Sequence, residues 1–229
     1  MNKELIVLSL GGSLIVPEKP SPIFLENFKK ILEKFYPKYK FVVVCGGGSI
    51  ARKYISALEK QGKSQKEISL AGIRATRMNA ELLMQIFGKN ANQTLPKNMK
   101  DVSDSLKQNS VVFSGALRYA KKETSDGTAA KLAKYFKSNF INLTNVQGLY
   151  TDNPLTNKNA KFIPKSSWKD FKSRTLKIKF KAGQHFVLDQ KAANLIAKHK
   201  IKTYILGSNL KNLKNLLNNK KFTGTTIQG

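Results

Sequence analysis

The sequence is poor in the residues that build disulfide frameworks, zinc sites and membrane spans. It has one cysteine, Cys45, and two histidines, His185 and His199. It can therefore form no internal disulfide, and it lacks the ligands of the usual Cys/His zinc site. No apolar run approaches the ~20 residues that span a bilayer, and the first residues form a strand pattern rather than a leader. We therefore expect a soluble, cytoplasmic protein with no membrane partner and no metal held by protein ligands alone.

Acidic residues are also scarce, and their scarcity sets the charge of the chain. The 14 Asp and Glu residues stand against 41 Lys and Arg residues, which gives a formal net charge of +27. Such a balance is typical of nucleic-acid-binding proteins. The lysines are nevertheless spread along the chain, with the densest cluster at residues 172–183, and no aromatics interleave with base-reading arginines. This distribution favours a lysine-coated surface that binds polyanions non-specifically, with nucleic-acid binding as the alternative function.

Apolar runs alternate with amphipathic segments along most of the 229 residues. Continuous apolar strands that alternate with helices predict an α/β fold, in which a mainly parallel sheet is covered on both faces. No repeat and no Pro/Gly-rich linker divides the chain, so we expect one domain. The predicted strands are residues 3–10, 40–48, 110–115, 140–146, 202–207 and 224–227. The predicted helices are residues 21–36, 49–61, 72–88, 127–138 and 189–199.

Two glycine-rich loops follow the first two predicted strands. The first is Gly11-Gly12-Ser13, and the second, in residues 46–49, has the sequence GGGS. Glycine lets backbone N–H groups approach phosphate oxygens without a Cβ in the way, and a following helix adds a favourable field. One such loop is as well explained by a tight strand-to-helix turn, but two in consecutive units favour phosphate binding. Neither loop has the spacing of the dinucleotide-binding fingerprint.

A further glycine motif, at residues 57–64, has the sequence ALEKQGKS and fits a permissive P-loop pattern. A P-loop needs a buried strand before its glycines and a helix that opens at its lysine. Here the preceding residues continue a predicted helix, and Gly62 is placed to end that helix. We therefore do not assign phosphate binding to this motif.

Seven stretches, taken together, resemble the amino acid kinase family, and most of all its archaeal-type uridylate (UMP) kinase branch. They occur in family order at residues 9–17, 42–55, 71–83, 124–136, 143–154, 181–207 and 224–227. The resemblance implies a three-layer αβα sandwich that transfers the γ-phosphoryl group of ATP, accompanied by Mg²⁺, to UMP. It also implies an acceptor-side lobe at about residues 1–125 and an ATP-side lobe at about residues 126–229. A dimer-based homo-oligomer, up to a hexamer, is expected, with residues 76–87 near a contact.

The resemblance also assigns roles to individual residues. Phosphoryl transfer depends on positioning and charge neutralisation more than on a covalent nucleophile, so no Ser/His/Asp set is required. The catalytic residues implied by the family are Gly12, Ser13, Arg52 and Asp126. The residues implied for ATP are Gly12, Ser13, Gly48, Arg52, Thr144, Asn145, Tyr150 and Asn153. The residues implied for UMP are Gly47, Ser69, Arg118, Lys121, Lys122, Thr124, Ser125 and Asp126.

The sequence departs from the family pattern mainly on the acceptor side. Residues 117–126, LRYAKKETSD, replace a shorter acceptor loop that contains glycine and histidine. Ser69, Gln147 and Asn153 stand where the branch has acids, and Ser9 stands where many relatives have lysine. Two explanations remain open. Either the cations of the altered loop bind the acceptor phosphate in place of backbone amides, or the protein phosphorylates another acceptor or only binds nucleotide.

The matching block at residues 181–207 contains two further charged residues, Lys181 and Asp189. Lys181 is placed near the expected donor phosphates, but a surface position suits a lysine equally well. Asp189 precedes the predicted helix at residues 189–199, where an acid suits the N-terminal cap. We expect Asp189 to cap that helix rather than to act in catalysis.

Overall fold

The computed structural model describes residues 3–119, 124–154, 156–176 and 188–229. Its main feature is a seven-stranded sheet with the strand order β3-β2-β1-β4-β8-β9-β7. The first five strands in this order are parallel, whereas β9 runs antiparallel to β8. A separate two-stranded antiparallel hairpin is formed by β5 and β6. The strands are β1 (Glu4–Leu10), β2 (Tyr39–Cys45), β3 (Val111–Ser114), β4 (Asn139–Leu143), β5 (Leu149–Tyr150), β6 (Phe162–Ile163), β7 (Lys165–Ser166), β8 (Thr203–Leu206) and β9 (Thr225–Ile227).

Helices cover both faces of this sheet. They are α1 (Gly12–Ile15), α2 (Pro22–Phe35), α3 (Gly48–Lys60), α4 (Gln65–Phe87), α5 (Met99–Gln108), α6 (Ser125–Phe136), α7 (Trp168–Leu176), α8 (Gln190–Lys198) and α9 (Leu210–Leu217), with a 3₁₀ turn at Gly88–Asn90. The predicted elements are all present. Helices α1, α5, α7 and α9 and the short strands β5, β6 and β7 were not predicted from the sequence.

The central strands are apolar on both sides because both sides are buried. Residues Val42 and Val43 of β2 point to opposite faces, and both are fully buried in different core clusters. One cluster packs α2, α4 and α9 against the sheet, and the other packs α5, α6, α7 and α8 against the opposite face. Burial of each large apolar side chain stabilises the fold by roughly 1.5–3 kcal/mol. The predicted three-layer αβα arrangement is therefore confirmed.

The start of α4 differs from the prediction. The helix begins at Gln65, seven residues before the predicted start, because Ser64 and Glu67 form a reciprocal capping box. Gly62, with a φ of +65°, follows the end of α3, and Gly88, with a φ of +56°, ends α4. The segment that resembled a P-loop thus lies at a helix-to-helix turn, not after a strand. Ser21 occupies the N-cap of α2 as predicted, although its side chain makes no capping hydrogen bond.

Two properties of the helices bear on the expected partners. Within the described ranges, no helix is both long and apolar enough to cross a membrane. The second half of α4, which was expected near a subunit contact, buries Ala80, Leu83 and Phe87 inside its own chain. Met78 is the large apolar residue that this segment exposes, with 54% of its surface accessible.

Candidate active site

The two glycine loops meet at the carboxyl ends of β1 and β2. These strands pair in parallel with Leu10 opposite Cys45, so the loops leave the sheet side by side, and the Gly46 nitrogen donates to the Leu10 carbonyl at 2.9 Å. A Cβ placed on Gly12 would lie 2.7 Å from the carbonyl carbon of Gly46 and nearer still to the Gly48 nitrogen. Side chains at Gly12 would therefore push the two loops apart. The glycines are needed for this close backbone contact.

A cleft of about 270 Å³ opens above these loops. Its wall is completed by α3, α4, the start of α6 and the residues that follow β4. Most of the residues predicted for the site line this cleft, namely Gly12, Ser13, Gly47, Gly48, Arg52, Ser69, Thr124, Ser125, Asp126, Thr144 and Asn145. Arg118, Tyr150 and Asn153 do not line it. Lys121, Lys122 and Lys181 lie outside the described residues.

Arg52 is the lysine or arginine that the described part of the chain brings to this cleft. It lies one helical turn into α3, which begins at Gly48, and it is half-buried. None of the ion pairs found among the described residues involves Arg52. The N-terminus of α6, at Ser125, also opens on the cleft. An uncompensated guanidinium together with two helix N-termini favours an anionic ligand at this position.

Asp126 lies in a polar cluster at the base of the cleft. Its Oδ1 accepts a hydrogen bond of 2.6 Å from the Ser9 hydroxyl. Although the residue is partly open to the cleft, its carboxyl group is surrounded by protein, and this burial raises its pKa from 3.8 to about 7. The Ser9 hydrogen bond opposes the rise in pKa, and the negative charge of Asp189 adds to it. Ser9, which stands where many relatives have lysine, thus offers Asp126 a hydroxyl group without a positive charge.

Asp189, the residue that precedes α8, also belongs to this cluster. Its Oδ1 accepts hydrogen bonds from the Lys191 nitrogen at 2.7 Å and the Ala192 nitrogen at 2.9 Å, so it caps α8 as predicted. Its Oδ2 accepts a hydrogen bond from the Thr124 hydroxyl. The same hydroxyl accepts a hydrogen bond of 3.2 Å from the Asp126 nitrogen. Thr124 therefore links the cap of α8 to the first turn of α6 in the cleft. The sequence predicted the cap but not this link.

Helix α4 supports the cleft in a way that the sequence did not indicate. The Thr76 hydroxyl accepts from the Ala116 nitrogen at 3.0 Å. Arg77 donates from Nε to the Ala116 carbonyl at 3.2 Å and from Nη2 to the Leu117 carbonyl at 2.6 Å. These contacts fix the backbone at the start of the altered loop.

The same helix also holds a glycine loop. Asn79, which is buried, donates from Nδ2 to the Gly46 carbonyl at 2.7 Å. One helix therefore sets both the second glycine loop and the entry of the acceptor-side loop. Polar residues beside the apolar face of α4, namely Thr76, Arg77 and Asn79, are the sequence signal that could have indicated that this helix supports the cleft.

The residues that replace acids of the family pattern have local partners. The Ser69 hydroxyl donates to the Gln65 carbonyl of its own helix at 2.8 Å. Gln147 accepts from the Tyr150 hydroxyl at 3.3 Å. Next to Asn153, the acid Asp152 lies one residue before the position at which the family pattern has an acid. Asp152 accepts hydrogen bonds from the Asn153 nitrogen at 2.7 Å and from the Asn157 side chain at 2.7 Å. Its carboxylate therefore stabilises a local turn in the described structure.

Comparisons with known proteins agree with this geometry. The model of the amino acid kinase family matches residues 4–207. The uridylate kinase of Archaeoglobus fulgidus is 34% identical over 202 residues, which cover 88% of this chain and 90% of the relative. The uridylate kinase of Pyrococcus abyssi is 32% identical over 203 residues, which cover 88% and 89%.

Solved structures give the same result at the level of the fold. The crystal structure of the uridylate kinase from Archaeoglobus fulgidus superimposes with a TM-score of 0.84 at 31% identity, covering 97% of this chain and 99% of that one. The UMP kinase from Ureaplasma parvum gives a TM-score of 0.81 at 20% identity, with both chains fully covered. The second likeness bears on the fold alone.

Proposed function

Since the chain belongs to the amino acid kinase family, we propose that it transfers the γ-phosphoryl group of ATP to UMP and forms UDP. The observation that carries this proposal is the cleft in which two interlocked glycine loops and Arg52 converge. The curated relatives named uridylate kinase, aligned over 88% of the chain, support UMP as the acceptor.

Each part of the cleft has a distinct task in this reaction. The backbone N–H groups of the glycine loops and Ser13 bind the phosphate oxygens, and Arg52 offers a two-pronged donor to the group in transit. Thr144 and Asn145, which follow β4, hold the donor nucleotide, with Tyr150 and Asn153 further along the same segment. The acceptor lies toward α3 and α4, near Gly47 and Ser69. The lobes at about residues 1–125 and 126–229 thus carry acceptor and donor.

The chemistry of the cleft suits a magnesium ion that arrives with ATP. No group of three or more candidate metal ligands occurs within the described ranges, and Asp126 is the carboxylate that lines the cleft. Mg²⁺ is typically held by one or two carboxylates together with substrate phosphates and water, and Asp126 with the phosphates would form such a set. The bound ion would neutralise charge on the phosphate groups.

A second candidate function has the same donor chemistry but a different acceptor. It is favoured by the changes on the acceptor side, where Ser69 is bonded to its own helix and residues 117–126 depart from the family pattern. The family pattern has an aspartate at the position of Ser69, and the resemblance implies that this aspartate holds the acceptor ribose. An acceptor without a ribose would not need an acid there. The two candidates differ in substrate but share the cleft, ATP and Mg²⁺.

A substrate panel separates the candidates. The purified protein is incubated with ATP and Mg²⁺ and with UMP, CMP, AMP, GMP or small phosphorylated metabolites, and the products are followed by phosphorus NMR. We expect UDP from UMP at a rate well above that for the other nucleotides. Turnover of a non-nucleotide alone would exclude UMP as the acceptor, and binding of ATP without any turnover would indicate a nucleotide-binding protein.

A further inference from the structure

A second cavity lies on the α9 side of the sheet. Its volume is about 540 Å³, within the range of about 300–1,000 Å³ that is usual for small-molecule sites. Its wall consists of Asn145 and Gln147, residues 207–215 in part, and residues 221–223. We call it the α9 cavity. It opens beyond the carboxyl ends of β4 and β8, the edge at which open α/β sheets bind ligands.

The wall of the α9 cavity is fixed by hydrogen bonds within the chain. Asn212 accepts from the Thr223 nitrogen at 2.9 Å, and Asn215 donates to the Lys221 carbonyl at 3.0 Å. These two contacts tie α9 to the turn at residues 221–223. The Phe222 ring is held edge to face by Tyr204, with centroids 6.0 Å apart. These contacts fix α9, residues 221–223 and the Phe222 ring relative to one another, while Lys211 and Lys221 are exposed at the cavity.

The chemistry of the wall is cationic and rich in amides. Lys211 and Lys221 line the cavity, and none of the described residues of its wall is acidic. The whole stretch of residues 190–229 contains eight lysines and no Asp or Glu. Neither lysine takes part in an ion pair found among the described residues. Lysines without acidic partners attract phosphate groups, and amides with an aromatic ring suit a nucleobase.

The α9 cavity adjoins the donor site of the proposed reaction but has a largely different wall. Of the residues assigned to ATP, only Asn145 lines it. Tyr150 belongs to the β5–β6 hairpin, whose Leu149 and Ile163 pack in the core on the α6–α8 side. Phe222 packs against the core on the α2–α9 side. The Tyr150 hydroxyl nevertheless donates to Gln147 of the cavity wall at 3.3 Å, so the hairpin and the cavity are in contact at this residue.

From these observations we infer that the α9 cavity binds a second phosphorylated ligand of nucleotide size, in addition to the two substrates. Lys211 and Lys221 hold its phosphates, and the amide side chains and Phe222 hold its base. Because Asn145 lines both the cavity and the cleft, the bound ligand changes the KM for ATP more than the KM for UMP. Binding itself does not depend on UMP being the acceptor.

The test uses the full chain saturated with a non-hydrolysable ATP analogue and UMP. ADP, GDP, CDP and UDP are added in turn, and equilibrium dialysis measures the bound probe and the bound analogue. We expect one probe molecule per chain without loss of the analogue. The variant Lys211→Ala/Lys221→Ala should weaken that binding at least about tenfold, because both cations of the wall are removed.

A matched control separates the cavity from general surface charge. Lys214→Ala/Lys220→Ala removes the same charge from the same helix and turn, but neither residue lines the cavity. It should change probe binding less than about twofold. Displacement of the analogue by the probe, equal weakening in both variants, or no binding of any of the four probes would each overturn the inference. Failure of UMP turnover would leave the dialysis result unaffected.

Discussion

Two parts of the site differ in how they are built. We call the backbone of the two glycine loops, residues 11–13 and 46–49, the floor of the cleft, and we call residues 117–126 on the acceptor side the rim. In the floor, Gly12 and Gly46 touch so closely that no Cβ fits between them. Of the cations of the rim, Arg118 is exposed to solvent and does not line the cleft, and Lys121 and Lys122 lie outside the described residues. The floor is held from below by paired strands, whereas the start of the rim is held by Thr76 and Arg77 of α4.

This difference separates the requirements of transfer from those of acceptor choice. A backbone floor offers N–H groups at fixed positions, which suits the transferring phosphates because in-line geometry tolerates little displacement. Lysine side chains, two of which occur in residues 117–126, attract a phosphate but position it less rigidly than backbone N–H groups do. Changes in the floor should affect folding and turnover, and changes in the rim should affect the acceptor.

The largest effect is expected from Gly12→Ala. The added Cβ would collide with the backbone of Gly46 and Gly48, so the two loops must separate and the paired strands must adjust. We expect a loss of more than about 4 kcal/mol in the free energy of unfolding, measured by urea denaturation, and no detectable turnover. Gly62→Ala is the control, since Gly62 has a positive φ but open space around it. It should cost about 1–2 kcal/mol; an equal loss in both variants would mean that the interlocked loops are unimportant.

A smaller effect, confined to turnover, is expected from Arg52→Lys. Lysine keeps the charge but loses the two-pronged donor, so kcat should fall roughly 10- to 100-fold while the melting temperature stays nearly constant. Lys53→Ala is the control, because Lys53 is exposed and, among the described residues, its ion pair is with the exposed Glu18. Wild-type kcat in Arg52→Lys would remove Arg52 from the catalytic groups.

The two glycine loops could be predicted from the sequence because consecutive glycines directly after an apolar strand are seldom found without a close backbone contact. Gly88 likewise marks a helix end by a local rule, whereas the capping box of Ser64 and Glu67 was not recognised and the start of α4 was predicted too late. The contact between Thr124 and Asp189 joins residues 65 positions apart, and no local pattern encodes it. Strands β5 and β6 have two residues each, too few for a periodicity. Helix α9 has eight residues, two of them Asn, which is a weaker helix former than the Leu and Lys around it, so its helical signal is short and interrupted.

At the base of the floor, Asp126 should make stability depend on pH. Its pKa in the folded protein, about 7, lies above the model value of 3.8. The folded state therefore keeps the proton longer than the unfolded state, so the contribution of Asp126 to stability is greatest below about pH 4 and falls as the pH rises toward 7. Asp126→Asn should remove this contribution, which is a few kcal/mol, and should also lower kcat with modest effect on either KM.

Urea denaturation of both proteins at several pH values between 4 and 8 checks this expectation. The difference between wild type and Asp126→Asn should shift in favour of the variant as the pH rises. Ser9→Ala serves as a second probe, because loss of the Ser9 hydrogen bond raises the pKa of Asp126 further and moves the decline to higher pH. A pH-independent difference would show that Asp126 is ionised throughout the range.

The smallest effect is expected at the rim, from Arg77→Lys. Lysine cannot reach both the Ala116 and the Leu117 carbonyl with a rigid fork, so the start of residues 117–126 should become less fixed. We expect the KM for the acceptor to rise about threefold to tenfold, with little change in kcat or in the KM for ATP. Arg74→Lys, at an exposed position of the same helix, should leave all three constants unchanged. Replacement of Arg118, Lys121 and Lys122 by alanine should also raise the KM for the acceptor. That KM should then depend less on salt, because salt screens the attraction between these charges and the acceptor phosphate. If Arg77→Lys lowers kcat as strongly as Arg52→Lys does, the floor and the rim are not separate, and α4 controls the transferring phosphates as well as the acceptor.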